Sequence, residues 1–139
     1  MRKRTVARES ALKILYAIDI TKNDAKDCTD DYWHNEPCSE NDIIKFADYL
    51  VKGVCANKEK IDGVITKYAT NWHINRMAAV DRNIIRMASF ELLFADEIPP
   101  KVSINEAIEI AKKFGDKDSG KFVNGILDKI NKKESQKKT

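Results

Sequence analysis

Breakers of regular structure are scarce in this 139-residue chain: five glycines, three prolines and three cysteines. With 42% hydrophobic and 34% charged residues, such a composition suits a soluble helical protein and argues against disorder. Nowhere is there a run of about 18 apolar residues, so no segment reads as a bilayer span. Cys28, Cys38 and Cys55 are an odd count without a CxxC pair, which excludes a disulfide framework and leaves reduced thiols as the expectation. The glycines stand singly, so no loop can cradle a phosphate, and neither GxSxG nor HExxH occurs. His34 and Cys38, with Cys28 upstream, fall short of a four-ligand zinc set, and His73 beside Trp72 has no nucleophile near it in sequence. Paired acids such as Asp30 and Asp31 sit in a polar stretch that needs no catalytic role. The expectation is a protein without catalytic residues, metal or cofactor.

What is present is helical periodicity. Ala11, Leu12, Leu15 and Ile18 form one amphipathic stripe over about 5–20. Residues 21–37 are polar and acidic, with room for one short helix closed by Pro37. Ser39 and Asp42 read as a capping box ahead of Ile43, Phe46, Ala47, Leu50, Val51 and Val54. Asn57 is expected to cap a helix carrying Ile61, Val64, Ile65 and Tyr68. A weaker stretch over 71–80 places Trp72, Ile74 and Met77 in a packed connector. Asp81 is expected to cap the next helix, whose buried face runs from Ile84 to Ala95 and includes Glu91, a carboxylate that there requires a hydrogen-bond or cationic partner. Pro99 and Pro100 forbid continuation. Ser103 with Glu106 repeats the capping box, and Gly115 is expected to supply a left-handed stop.

The last helix holds two conflicting signals in KFVNGILDKI, residues 121–130. Asn124-Gly125 is a hairpin turn signal, but Phe122, Val123, Ile126, Leu127 and Ile130 share one helical face and both faces of a strand. The period predicts a helix, begun at Asp118 or Ser119, in which Gly125 costs about 1 kcal/mol relative to alanine. Gly125, like Gly53 and Gly63 in other helical windows, then marks a tight helix crossing or a place where a partner comes near. No segment alternates as a strand does. The fold class is all-α, about seven helices in two small packed bundles forming one compact domain over 1–131, with a polar basic tail over 132–139.

The net charge is +3, but its distribution is lopsided. From Asp19 to Asp48 nine acids face three lysines, so the rest of the chain carries nine net positive charges. Arg2, Lys3, Arg4 and Arg8 crowd one end, and Lys129, Lys132, Lys133, Lys137 and Lys138 the other. Such asymmetry fits a polyanionic partner as well as a solvated tail. Arg4 and Arg8 lead along the first helix towards Tyr16, which puts cationic groups and a ring on one element, the combination that grips unpaired RNA; the other reading of Tyr16 is a core residue. Basic residues before an apolar stretch also suggest a signal peptide. Glu9, Lys13 and Asp19 interrupt that stretch and no small-residue cleavage pattern follows, so mature protein in the cytoplasm is expected.

Three stretches together resemble the NusB family of bacterial transcription antitermination factors: DRNIIRMASFELL (Asp81 to Leu93), VSINEAIEIAKKFG (Val102 to Gly115) and KFVNGILDKI. RESALKILYAIDI (Arg8 to Ile20) is similar to that family's first helix, and the motifs follow in register over nearly the whole chain. The resemblance implies a non-enzymatic helical protein that pairs with NusE, a small-subunit ribosomal protein. Together the two bind a single-stranded boxA element and help the RNA polymerase antitermination complex read through terminators, notably in ribosomal RNA operons. Carried over, the RNA-binding positions are Arg2, Lys3, Arg4, Arg8, Tyr16, Phe114, Asp118, Lys121 and Phe122, with Asp81 at a nearby partner or RNA edge. Asp118 is expected to cap the last helix or to accept a hydrogen bond from a base or partner, and the alternative for both phenylalanines is core packing. The acidic segment 21–37 is this protein's own. A rival reading is a protein-only scaffold, or a homodimer through its helical faces, with RNA bound mainly by the partner. Similar domains also occur fused to RNA cytosine methyltransferases, but no methyl-donor module is expected in this chain.

Overall fold

The structure, a computed structural model, describes residues 2–135. Seven α-helices follow in order: α1 Lys3–Thr21, α2 Ala25–Asn35, α3 Asn41–Ala56, α4 Lys58–Tyr68, α5 Ala79–Phe94, α6 Pro100–Phe114 and α7 Ser119–Glu134. A single 3-10 turn, Ile74–Arg76, lies between α4 and α5, and no strand occurs among the described residues. Contacts gather the helices into two compact units, the first ending at Ala56 and the second beginning at Asn57. Of the tail expected over 132–139, residues 132–134 continue α7, while 136–139, with Lys137 and Lys138, lie outside the described residues.

In the first unit α1 packs on α3, with α2 against both. The stripes meet as the spacing predicts: Ala11, Ile14 and Leu15 of α1 and Ala47, Leu50 and Val54 of α3 are buried. Helix α2 contributes only Cys28 to the core and is tied instead by polar bonds. Tyr32 donates from its hydroxyl to Ser10 Oγ at 3.0 Å, and Trp33 Nε1–H to Asp48 Oδ1 at 3.4 Å. That pattern suits an acidic helix with too little apolar surface to bury.

In the second unit α5 is the central rod, packed by α4, α6 and α7. Five of its buried residues are polar: Asp81, Asn83, Arg86, Ser89 and Glu91. Burial without partners would cost about 1–3 kcal/mol each, and three of them are answered. Asn83 Nδ2 donates to the Ala79 carbonyl at 2.8 Å, Arg86 forks onto both oxygens of Asp62, and Glu91 Oε1 accepts from the Ser103 hydroxyl at 2.7 Å. Glu91 therefore has the partner its position demanded, and it anchors α6 to α5.

Several helix ends differ from expectation. Ser103 is not a cap: Pro100 starts α6 one turn earlier, Pro99 takes the cap position, and Ser103 is drawn inward by Glu91. Asp81 likewise lies within the first turn of α5, behind Ala78. Glu40, not Ser39, takes the cap position of α3, its carbonyl accepting from Ile43 and Ile44. In each case tertiary packing or a proline moved the start by a turn or less, and local side-chain chemistry did not decide it. The left-handed residue is Lys22, φ 62°, which ends α1; Gly115 is extended at φ −94°, ψ −165°.

The tight crossing expected at Gly125 is overturned. A Cβ added at Gly125 or at Gly63 meets nothing within 4 Å beyond its own helix backbone. Gly125→Ala is therefore expected to raise stability by about 0.5–1 kcal/mol, seen as a higher urea midpoint at unchanged slope. A lowered midpoint would show that the glycine is needed for packing after all.

Candidate nucleic-acid interface

The first group of candidate residues lies on α1. Arg2 occupies the cap position in extended conformation, and Lys3 and Arg4 begin the helix, all three exposed. Helical spacing of four puts Arg4 and Arg8 on one face, and both guanidinium carbons stand over the ring of Phe46 on α3, at 4.3 and 5.3 Å from its centre. The two positions differ in accessibility. Arg4 remains exposed, whereas Arg8 is 2% exposed and offers no surface to a ligand. Arg8 is thus corrected from a contact residue to one that sits beneath the patch with Phe46. The Phe46 ring in turn stacks on Tyr49, 6.0 Å away and inclined by 29°.

Lys3 is held by two acids, its ammonium 3.1 Å from Glu40 Oε2 and 3.6 Å from Asp42 Oδ2. The hydrogen bond to Glu40, its charge and that of Asp42 raise the Lys3 pKa. Being solvent-exposed, this cluster contributes little to stability, but it sets a competition that a phosphate must win. Tyr16 lies two turns beyond Arg8 and is 41% exposed. It is not a core residue.

The second group surrounds the start of α7 in the second unit. Asp116 organises the turn: its Oδ1 accepts from the Asp118 backbone N–H at 2.8 Å and from the Ser119 hydroxyl at 3.3 Å, while its own N–H donates to Ser119 Oγ at 3.0 Å. Ser119 comes so close to Gly115 that an added Cβ there would lie 2.6 Å from Ser119 Cβ and 2.8 Å from the Ala111 carbonyl. Gly115 is required for this approach and not for a left-handed φ. Asp118 sits at the cap position with no side-chain cap bond and is exposed. Asp116 thus holds the turn before α7, and the Asp118 side chain is exposed.

Lys121 is exposed, whereas Phe114 and Phe122 are half-buried. The Lys113 ammonium stands 5.3 Å from the Phe114 ring centre. Phe122 meets Trp72 edge to face, with centres 5.6 Å apart and planes at 78°. Asp81 is buried nearby and its pKa is raised, chiefly by desolvation, opposed by a hydrogen bond from Ser119 and reinforced by the charge of Asp116. Trp72, Asp81, Asp118, Ser119 and Phe122 line one cleft of about 280 Å³. Phe114 and Lys121 lie outside that lining.

The sequence pattern of the NusB family matches residues 5–132. The chain belongs to the NusB family. It is 47% identical over 128 residues to the "Transcription antitermination protein NusB" of Anaeromyxobacter sp. (strain Fw109-5), spanning 92% of this chain and 89% of the relative. Among solved structures, that of T. maritima NusB superposes with a TM-score of 0.86 at 35% identity, covering 97% of this chain and 94% of that one. A second, described as antitermination factors NusB and NusE in complex with dsRNA, gives 0.88 at 30% identity over 95% and 98% of the two chains.

Within this chain the residues that sequence reasoning missed are Phe46, Tyr49, Trp72 and Asp116. Phe46 was legible only as a core position on the α3 stripe, which it is. Its second role, as the ring beneath two arginines, depends on the α1–α3 contact. Trp72 was expected to pack a connector together with Ile74 and Met77; those two are buried, but Trp72 is 54% exposed. An aromatic in a segment without helical period, next to an unused histidine, was the available signal. No helix among the described residues is long and apolar enough to cross a membrane, and no group of three or more potential ligands among them is arranged for a metal ion.

Proposed function

We propose that this chain is a transcription antitermination factor that binds boxA-type single-stranded RNA together with the ribosomal protein NusE and promotes read-through in ribosomal RNA operons. It works in the cytoplasm, as a binding partner and not as a catalyst. The observation that carries the reading is the basic start of α1 in a NusB-family chain, where Arg2, Lys3 and Arg4 are exposed and Arg4 stands over Phe46, whose ring stacks on Tyr49. Arg2, Lys3 and Arg4 bind phosphates. Arg8 supports them from below. Tyr16 receives an unstacked base, which at about 1–3 kcal/mol per stacked base is a large share of the affinity. At the start of α7, Lys121 binds phosphate, Phe114 and Phe122 offer rings, and Asp81 and Asp118 accept hydrogen bonds.

A second reading, a protein-only scaffold or homodimer, draws on two features. Lys3 is already paired with Glu40 and Asp42, and Tyr16 and Ile20, one turn apart on α1, are both exposed. Gel-shift titration with a boxA-like strand, alone and with NusE, separates the two. The antitermination reading expects a shift that NusE strengthens and that Tyr16→Ala weakens by roughly fivefold or more with an unaltered melting point. RNA that shifts only with NusE, and equally well with the Tyr16 variant, would favour the scaffold.

A further inference from the structure

The outer face of α3 carries a ring and two cations onto which the start of α1 leads. Lys45, Tyr49 and Lys52 are spaced by four and three residues, so they form one row along the helix, and all three are exposed. Tyr49 is 40% exposed, yet its ring is held by stacking on Phe46, with centres 6.0 Å apart and planes inclined by 29°. Phe46 in turn lies under the Arg4 guanidinium, 4.3 Å from the ring centre. Helical side chains lean towards the N-terminus, so the residue able to cover Tyr49 is the one a turn later. That residue is Gly53. The Tyr49 ring is thus fixed by Phe46 and has no side chain from the next turn over it.

Charge decides what such a row fits. Neither the Lys45 nor the Lys52 ammonium has an ion pair among the described residues. The nearby acids of the same helix are engaged elsewhere: Asp42 lies 3.6 Å from the Lys3 ammonium, and Asp48 Oδ1 accepts from Trp33 Nε1–H on the α2 side. Two unpaired cations flanking a held ring suit the phosphates and an unstacked base of a single strand. The row also continues the basic start of α1, because Arg4, Phe46 and Tyr49 are stacked in succession. Beyond Lys52 lies a cleft whose other wall is α2, where Asp27, Asp30 and Asp31 outnumber Lys26. That acidic helix bounds the path for a polyanion.

We propose that the row of Lys45, Tyr49 and Lys52 on α3 binds nucleotides flanking the boxA-type element, with Tyr49 stacking on one base and the two lysines on the adjoining phosphates. The inference rests on the RNA-binding reading above and extends it from α1 onto α3, to residues outside the expected interface. Stacking accepts any base, so the flank is held without regard to its sequence.

The test titrates the full chain, with and without NusE, against a boxA-like strand and against the same strand lengthened by a short oligouridine tract at its 5′ or its 3′ end. One of the two extensions is expected to tighten binding by between roughly fivefold and a hundredfold. Tyr49→Ala is expected to abolish that gain while keeping the affinity for the unextended strand within about twofold, and Tyr49→Phe, which retains the ring, to preserve the gain. Lys45→Ala with Lys52→Ala is expected to make the salt slope of the extended strand shallower by about 1.4 and to leave that of the unextended strand unchanged. No gain from either extension, or a gain that Tyr49→Ala and the double lysine variant both leave intact, would overturn the row as a binding site while the RNA-binding reading stands. Variants that lose only NusE pairing would assign the row to a protein contact and overturn it equally. Wild-type protein that binds none of the strands, alone or with NusE, would fail the RNA-binding reading itself.

Discussion

Arg86→Ala is expected to destabilise the protein by about 1.5–3 kcal/mol, the cost of losing a charge-assisted fork between a buried guanidinium and the partly exposed carboxylate of Asp62. Arg86 is 4% exposed, and its Nε and Nη2 donate to the two oxygens of Asp62 at 2.8 and 3.0 Å. A fork of two parallel bonds fixes α4 against α5 in one register, which a lysine cannot reproduce from a single ammonium. Arg86→Lys should therefore recover only part of the loss. Part of the cost is offset because Asp62 keeps solvent and the Lys58 ammonium, 3.9 Å away, as partners. Replacing both residues together, Arg86→Met with Asp62→Leu, is expected to be far milder than the single change, because similar volume without charge needs no desolvation. Urea denaturation of the three variants checks this. A single variant within about 1 kcal/mol of wild type would mean that water already reaches the pair.

Arg86 also shows where sequence reading runs out. The stripe from Ile84 to Ala95 placed α5 correctly, and Glu91 was legible as a buried acid in need of a partner because it falls on that stripe. That the partner is Ser103, 2.7 Å away, was hidden by the serine's other plausible use as a helix cap. A serine three residues ahead of a glutamate looks the same whether it caps a helix or sits within one. Pro99 and Pro100 decided the matter, since proline at the first helical position is favourable. Six of the helices were legible from their apolar periods, whereas α2, polar and acidic with only Cys28 in the core, was legible only as room for one short helix. Their ends were not, because ends depend on which neighbour claims a polar side chain.

The candidate site divides in the same way. Charge and the N-terminal motif identified Arg2, Lys3, Arg4 and Arg8 as a group, but one-dimensional spacing does not separate an arginine that faces solvent from one four residues later that is covered. Ala7, Arg8 and Ala11 are all buried, so the face of α1 carrying Arg8 continues the core stripe. Asp81 and Asp118 were legible as acids near one edge. Their difference, one buried with an unpartnered oxygen and the other exposed, comes from Asp116 ordering the turn around Asp118 and from α7 packing on α5. Neither contact has a local signature in the sequence.

This sorting of the cations fixes the expected salt dependence of RNA binding. Arg2, Lys3, Arg4 and Lys121 are exposed, and a single strand releases about 0.7 counterion per phosphate neutralised. Four contacts give a slope of about −2.8 for the logarithm of affinity against the logarithm of salt concentration, so raising salt from about 50 to about 200 mM should weaken binding roughly fiftyfold. Arg4→Ala is expected to bring the slope to about −2.1. Arg8→Ala should leave the slope at its wild-type value and lower the melting point instead, because its guanidinium is buried against Phe46. Lys3 enters the count only by exchanging Glu40 and Asp42 for phosphate. Glu40→Gln with Asp42→Asn removes that competition and should tighten RNA binding, most visibly at low salt, where the acids are least screened. A flat salt response in wild-type protein, or a slope that falls with Arg8→Ala as much as with Arg4→Ala, would contradict this assignment of the patch.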